Sequence, residues 1–128
     1  MFTMLATLLL GIAALEPVEN RDPRETYIGA MEYAIATLEK EDYVTFLDQC
    51  LSQRQVKERL RDTSRKSLLA NLKDGDGKAY LEALRKAKKI KPTRSVSAAD
   101  MFRVTFNYDD ERHLSFTEEE DLLWYMSF

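Results

Sequence analysis

Cysteine and histidine are almost missing from this sequence, with one of each in 128 residues. A lone cysteine closes no intrachain disulfide, and with a single histidine it cannot supply the ligands of a structural zinc site. Glycine (four) and proline (three) are scarce too, which excludes collagen-like and low-complexity chains. Neither charge sign dominates: 19 Lys and Arg against 22 Asp and Glu leave a net of −3. No global cationic excess therefore points to nucleic acid. No G-x-S-x-G elbow, phosphate-binding glycine loop or H-E-x-x-H pair occurs, and without them the commonest hydrolase, nucleotide and zincin signatures drop out. What remains is 45% hydrophobic and 32% charged, an ordinary globular composition at a length suited to one domain.

Met1 to Leu15 reads MFTMLATLLLGIAAL and carries no charged side chain before Glu16. The run is shorter than the roughly 20 residues that a membrane-spanning helix needs. It suits the apolar stretch of a signal peptide, and Gly11-Ile12-Ala13-Ala14 offers small residues for cleavage. The expectation is a leader over 1–14 and a single exported domain over 15–128, periplasmic or secreted, from a bacterium, with no transmembrane span in the mature chain. Two other readings of the run are an N-terminal core helix and an uncleaved anchor. No cysteine follows the run, so a lipid-anchored cysteine is excluded.

The next segments carry helical spacing. Asp22-Pro23-Arg24-Glu25 combines a cap, a proline at the first helical position and a capping-box glutamate. Tyr27, Ile28, Met31, Ala34, Ile35 and Leu38 then recur on one face. Asp42 is placed to cap a second helix whose Tyr43, Phe46, Leu47, Cys50 and Leu51 form one apolar stripe. Ser52 to Gln55 reads as another capping box, followed by Val56 and Leu60, and then by a segment with Leu68, Leu69 and Leu72. Asp74-Gly75-Asp76-Gly77 predicts a turn that uses residues tolerant of positive φ, and a last helix spans about Lys78 to Ile90 before Pro92.

The period then changes. Phe102, Val104, Phe106 and Tyr108 alternate with Arg103, Thr105 and Asn107, which predicts a half-buried strand. Asp109-Asp110 turns into a second strand with Leu114 and Phe116, and Glu118 to Asp121 turns into a third over Leu122 to Phe128. The predicted class is α+β: three or four helices packed on a short antiparallel meander of about three strands.

Candidate chemistry is thin. An EF-hand register fails on Asp74 to Gly77 in both placements, since position 12 falls on Ala83 or Arg85 instead of glutamate. His113 and Ser115 share a strand face that reads as solvated, so no triad is expected there. Cys50 reads as a small buried hydrophobe. The aromatic residues Tyr27, Tyr33, Tyr43, Phe46, Phe102, Phe106, Trp124 and Tyr125 read as core rather than pocket lining. No catalytic residue, metal ligand or cofactor is assigned.

Charge segregation is the one strong signal. Residues 53–94 hold 14 Lys and Arg against 5 acids, a net of +9, and the flanks 1–52 and 95–128 carry −6 each. Arg54, Lys57, Arg61 and Arg65 fall at helical spacing, and Lys88 and Lys89 lie near the end of the last helix. These six form a candidate surface for an anionic envelope component or an acidic protein. The competing reading lays the basic helices against the chain's own acidic flanks. Only Tyr80 adds an aromatic ring to the stretch, so a stacking surface for single-stranded nucleic acid is not expected.

Glu41-Asp42-Tyr43, Phe46-Leu47, Leu68-Leu69-Ala70-Asn71-Leu72, Lys91-Pro92, Phe102 with Phe106, Leu114-Ser115-Phe116 and Trp124-Tyr125 occur in an order that resembles small exported bacterial proteins of uncharacterised function. More distantly, the helix-then-sheet order is similar to the ketosteroid-isomerase-like cone fold, and that likeness carries no catalytic residue over. The first expectation for function is a non-catalytic binding or envelope-associated domain. The second, implied by the cone-fold likeness, is a small-ligand pocket protein or enzyme.

Overall fold

The computed structural model describes residues 21–96 and 101–127. The expected leader over 1–14 lies outside them, as do Phe128 and the connection 97–100. Helices come first and a four-stranded antiparallel sheet follows, in the order β1-β2-β3-β4. No helix of the described residues is long and apolar enough to cross a membrane.

The first helix starts later than the sequence suggests. Asp22 caps only a single 3-10 turn over Pro23–Glu25, where its carboxylate accepts from the Arg24 N–H. Thr26 then leaves helical geometry and its Oγ1 accepts from the Gly29 N–H at 2.9 Å, starting α1 over Tyr27–Glu39. Two capping side chains four residues apart compete for one helix start, and the tighter junction uses both.

Asp42 caps α2 (Tyr43–Thr45) as expected, and the chain winds on as a π-helix over Phe46–Cys50. Phe46, Leu47, Cys50 and Leu51 are all buried. α3 spans Gln53–Arg59, without the capping box expected at Ser52. The Ser52 Oγ donates instead to Glu119 Oε2 at 2.7 Å, a partner 67 residues away that local pattern does not show. α4 (Arg65–Asn71) is capped by Ser64 and runs through a second π turn, Leu72–Asp76, into α5, Gly77–Ala87. The predicted Asp-Gly turn is therefore a kink within a helix, and none of its residues has φ in the left-handed region. Gly77 is needed for packing: a Cβ there would stand 2.7 Å from Tyr43 Cε1.

β1 (Thr93–Val96), β2 (Phe102–Asp109), β3 (Arg112–Glu118) and β4 (Trp124–Ser127) make one meander. The strand beyond the three predicted is β1, whose four residues are all exposed. It carries no apolar alternation to betray it. One sheet face presents Val104, Phe106, Leu114, Phe116 and Met126 to α1 and α5, and these join Met31, Ala34, Phe46, Leu47 and Leu84 in a continuous core. Fully burying a side chain such as Phe116 or Leu84 contributes about 1.5–3 kcal/mol of transfer free energy.

Candidate functional site

The basic stretch predicted as a surface divides into two parts. Arg54, Lys57 and Arg61 are exposed along α3 and the turn after it. Residues at i, i+3 and i+7 share one side of a helix, so the three cations project together. None of them is in an ion pair with a described residue. The Arg54 guanidinium donates to Met101 Sδ at 3.4 Å, which leans it toward the first residues of β2. Arg61 lines a shallow surface groove with Gln55, Glu58, Arg59 and Asp62.

The remaining predicted cations stand apart from that cluster. Arg65 makes a two-pronged pair with Asp48, at 2.5 and 2.7 Å. Its guanidinium holds the Asp48 carboxyl below the ordinary carboxylate range. Lys88 lies 3.8 Å from Glu32, and Arg85 reaches Glu39 at 2.8 Å. All three pairs join the basic middle of the chain to its acidic first part. Lys89 is exposed past the end of α5.

The sheet face opposite the helices is drier than its sequence suggests. His113 and Glu111 are exposed, but Ser115 and Thr117 are buried. The Ser115 hydroxyl is paired with Thr105 Oγ1 at 2.9 Å and the Thr117 hydroxyl with Ser127 Oγ at 3.2 Å. The expectation of a solvated face thus holds only at its hairpin end, and Ser115 is engaged across the strand rather than with His113.

Most of the aromatic residues fill the interior as expected. Tyr27 packs between Phe106 and Trp124, at 6.1 and 5.8 Å between ring centroids, and Phe106 meets Phe116 edge-on. Phe102 departs from the expectation, at 60% exposure. Cys50 is buried beside the Thr37 hydroxyl, and desolvation pushes its thiol up to about 11. That is the environment of an inert side chain rather than a nucleophile. Among the described residues no cluster of three His, Cys, Asp or Glu is placed to hold a metal ion. The largest enclosed surface near the helices is a groove of about 490 Å³ with mixed lining, including Glu39, Tyr43, Lys73, Lys78 and Arg85.

Sequence reasoning did not find Arg24 as a node. Its guanidinium binds the Asp22 carboxylate, donates to the Gln49 carbonyl at 3.1 Å, and sits 5.5 Å from the Tyr125 ring centroid. The neighbouring Tyr125 hydroxyl donates to Asp121, and burial together with that bond raises it to about 12. These contacts pin the 3-10 turn to β4, a structural role. The fold and the exposed cations define an α+β domain with a basic helix face. No protein-family profile, curated protein or solved structure matches the chain.

Proposed function

We propose that this chain is a non-catalytic binding domain that engages an anionic partner, an envelope component or an acidic protein, through α3. The observation that carries the reading is the alignment of Arg54, Lys57 and Arg61 on one exposed side of that helix, while Arg65 and Lys88 have carboxylate partners of their own. Clustered cations without nearby acids raise the local concentration of an anionic partner. Export to the periplasm or beyond belongs to the same proposal and rests on the apolar run at residues 1–14.

The interior supports binding at the surface over a buried pocket. Phe46 and Phe116 are 0% exposed and Phe106 is 3%, and the rings around Tyr27 touch one another, leaving ring against ring where the cone-fold likeness would need space. The test is retention of the chain on an immobilised sulfated polysaccharide across a salt gradient. Replacing Arg54, Lys57 and Arg61 together by glutamate should abolish retention, and added salt should weaken it in the unaltered chain. Retention indifferent to both changes sinks the reading.

A further inference from the structure

The two edges of the sheet are unlike each other. Beyond β4 the edge is met by the chain itself: Leu51 forms a parallel bridge with Met126, and the Ser52 N–H donates to the Met126 carbonyl at 2.9 Å. At the other edge β1 pairs with β2 alone among the described residues, and Thr93, Arg94, Ser95 and Val96 are all exposed. An edge strand presents a row of backbone donors and acceptors ready to pair with another chain.

Side chains beside that row narrow what would pair with it. Register sets Val96 next to Phe102, and the two are 58% and 60% exposed. Two residues back along the same face, Arg94 lies with its guanidinium 5.8 Å from the Tyr27 ring centroid. Lys89 and Lys91, both exposed, precede the strand. The edge therefore combines open backbone, an uncovered apolar pair and cations only.

We propose that β1 is a strand-addition site for an acidic, extended peptide segment of a partner protein. An apolar side chain of that segment lies against Val96 and Phe102, and a carboxylate two residues away meets Arg94, since alternate residues of a strand share a face. Backbone pairing supplies affinity in such complexes, and the alternate side chains supply selectivity. The proposal names a partner class for the anionic-partner reading and rests on it. A second copy of the chain fits less well, because two β1 edges brought together would juxtapose Arg94 and Lys91 of both, and like charges across paired strands are destabilising.

The probe is an end-blocked peptide that alternates serine with, in turn, glutamate and valine, titrated into the full chain by fluorescence anisotropy. Its twins carry methyl groups on alternate backbone nitrogens, in either register, with charge and composition unchanged. Strand addition requires one twin to bind about tenfold more weakly or worse, since several hydrogen bonds are lost. The variant Arg94→Glu should weaken the parent peptide by about tenfold, with its melting temperature unchanged because Arg94 is exposed. Absence of peptide binding, or binding insensitive to both methylation and Arg94→Glu, overturns strand addition. If polysaccharide retention still depends on Arg54, Lys57 and Arg61 in that case, the α3 reading stands without it. Edge-dependent peptide binding with no such retention overturns the α3 reading instead. A concentration-dependent dimer in sedimentation that the peptide dissolves assigns the edge to a second copy and also overturns the proposal.

Discussion

Gly29→Ala separates what the sequence suggests from what the fold requires, because the two give opposite signs. In an open helix position, replacing glycine by alanine stabilises by about 1 kcal/mol. Gly29 is not in an open position: a Cβ there would lie 2.0 Å from the Pro23 carbonyl oxygen and 3.0 Å from Thr26 Oγ1. The 3-10 turn would have to lift away from α1. Overpacking of this kind costs about 1–3 kcal/mol, and losing the Thr26 cap costs about 1 kcal/mol more. Displacing Pro23 also disturbs Arg24, which holds Asp22, the Gln49 carbonyl and the Tyr125 ring. The cost outweighs the helix gain, leaving a destabilisation of about 1–3 kcal/mol. For a domain of this size that lowers the melting temperature by about 4–12 °C. Urea and thermal unfolding followed by circular dichroism measure it, with Ile28→Ala, at a site 55% exposed, as the control expected to change stability little. A Gly29→Ala protein as stable as the parent, or more so, would refute the packing argument.

Two further outcomes are expected. Asp48→Asn removes the carboxylate from the Arg65 pair; both side chains are well exposed, so the loss near neutral pH is about 1 kcal/mol or less. Because the Asp48 carboxyl is depressed in the folded chain from the ordinary 3.8, its contribution is present above that value and disappears as pH falls through the folded one. Stability curves of the two proteins should converge in strong acid; a gap that persists there would mean the ion pair is not its source. Cys50, buried with its thiol raised to about 11, should resist iodoacetamide at pH 8 in the native chain and react fully in urea, which mass spectrometry reads directly. Rapid native alkylation would show that the helical layer opens around it.

The order of helices before sheet, and the alternation from Phe102 to Tyr108, were legible because both rest on the periodicity of buried side chains. So was the cap at Asp42, whose carboxylate accepts the Thr45 N–H at 3.2 Å. β1 was not legible: its only ties are backbone bonds to β2, and a strand with no buried face has no pattern to read. Ser52 looked like a helix cap because the cap rule is local, whereas its hydroxyl is claimed by Glu119. The stripe from Tyr43 to Leu51 has the spacing of an α-helix, yet Phe46–Cys50 is wound as a π-helix. Apolar spacing reports which residues are buried and tolerates a local change of pitch. The segregation of charge was plain in the sequence. What it could not show is that Asp48 and Glu32 would reach Arg65 and Lys88, since these partners meet only once the helices have packed.

The junction of residues 51–52 with Met126 also bears on how the chain is made. During synthesis the helical half emerges first and must wait for β4 before that seam can close. Until then the apolar faces of α1 and α5 lack the sheet that covers them, and collapsed intermediates with exposed apolar surface are prone to aggregate. A nascent chain halted before Trp124 would be left in that state, helical but unsealed. Holding it soluble until the last strand arrives is a task for cotranslational chaperones, and it makes the C-terminal residues a checkpoint for the whole domain.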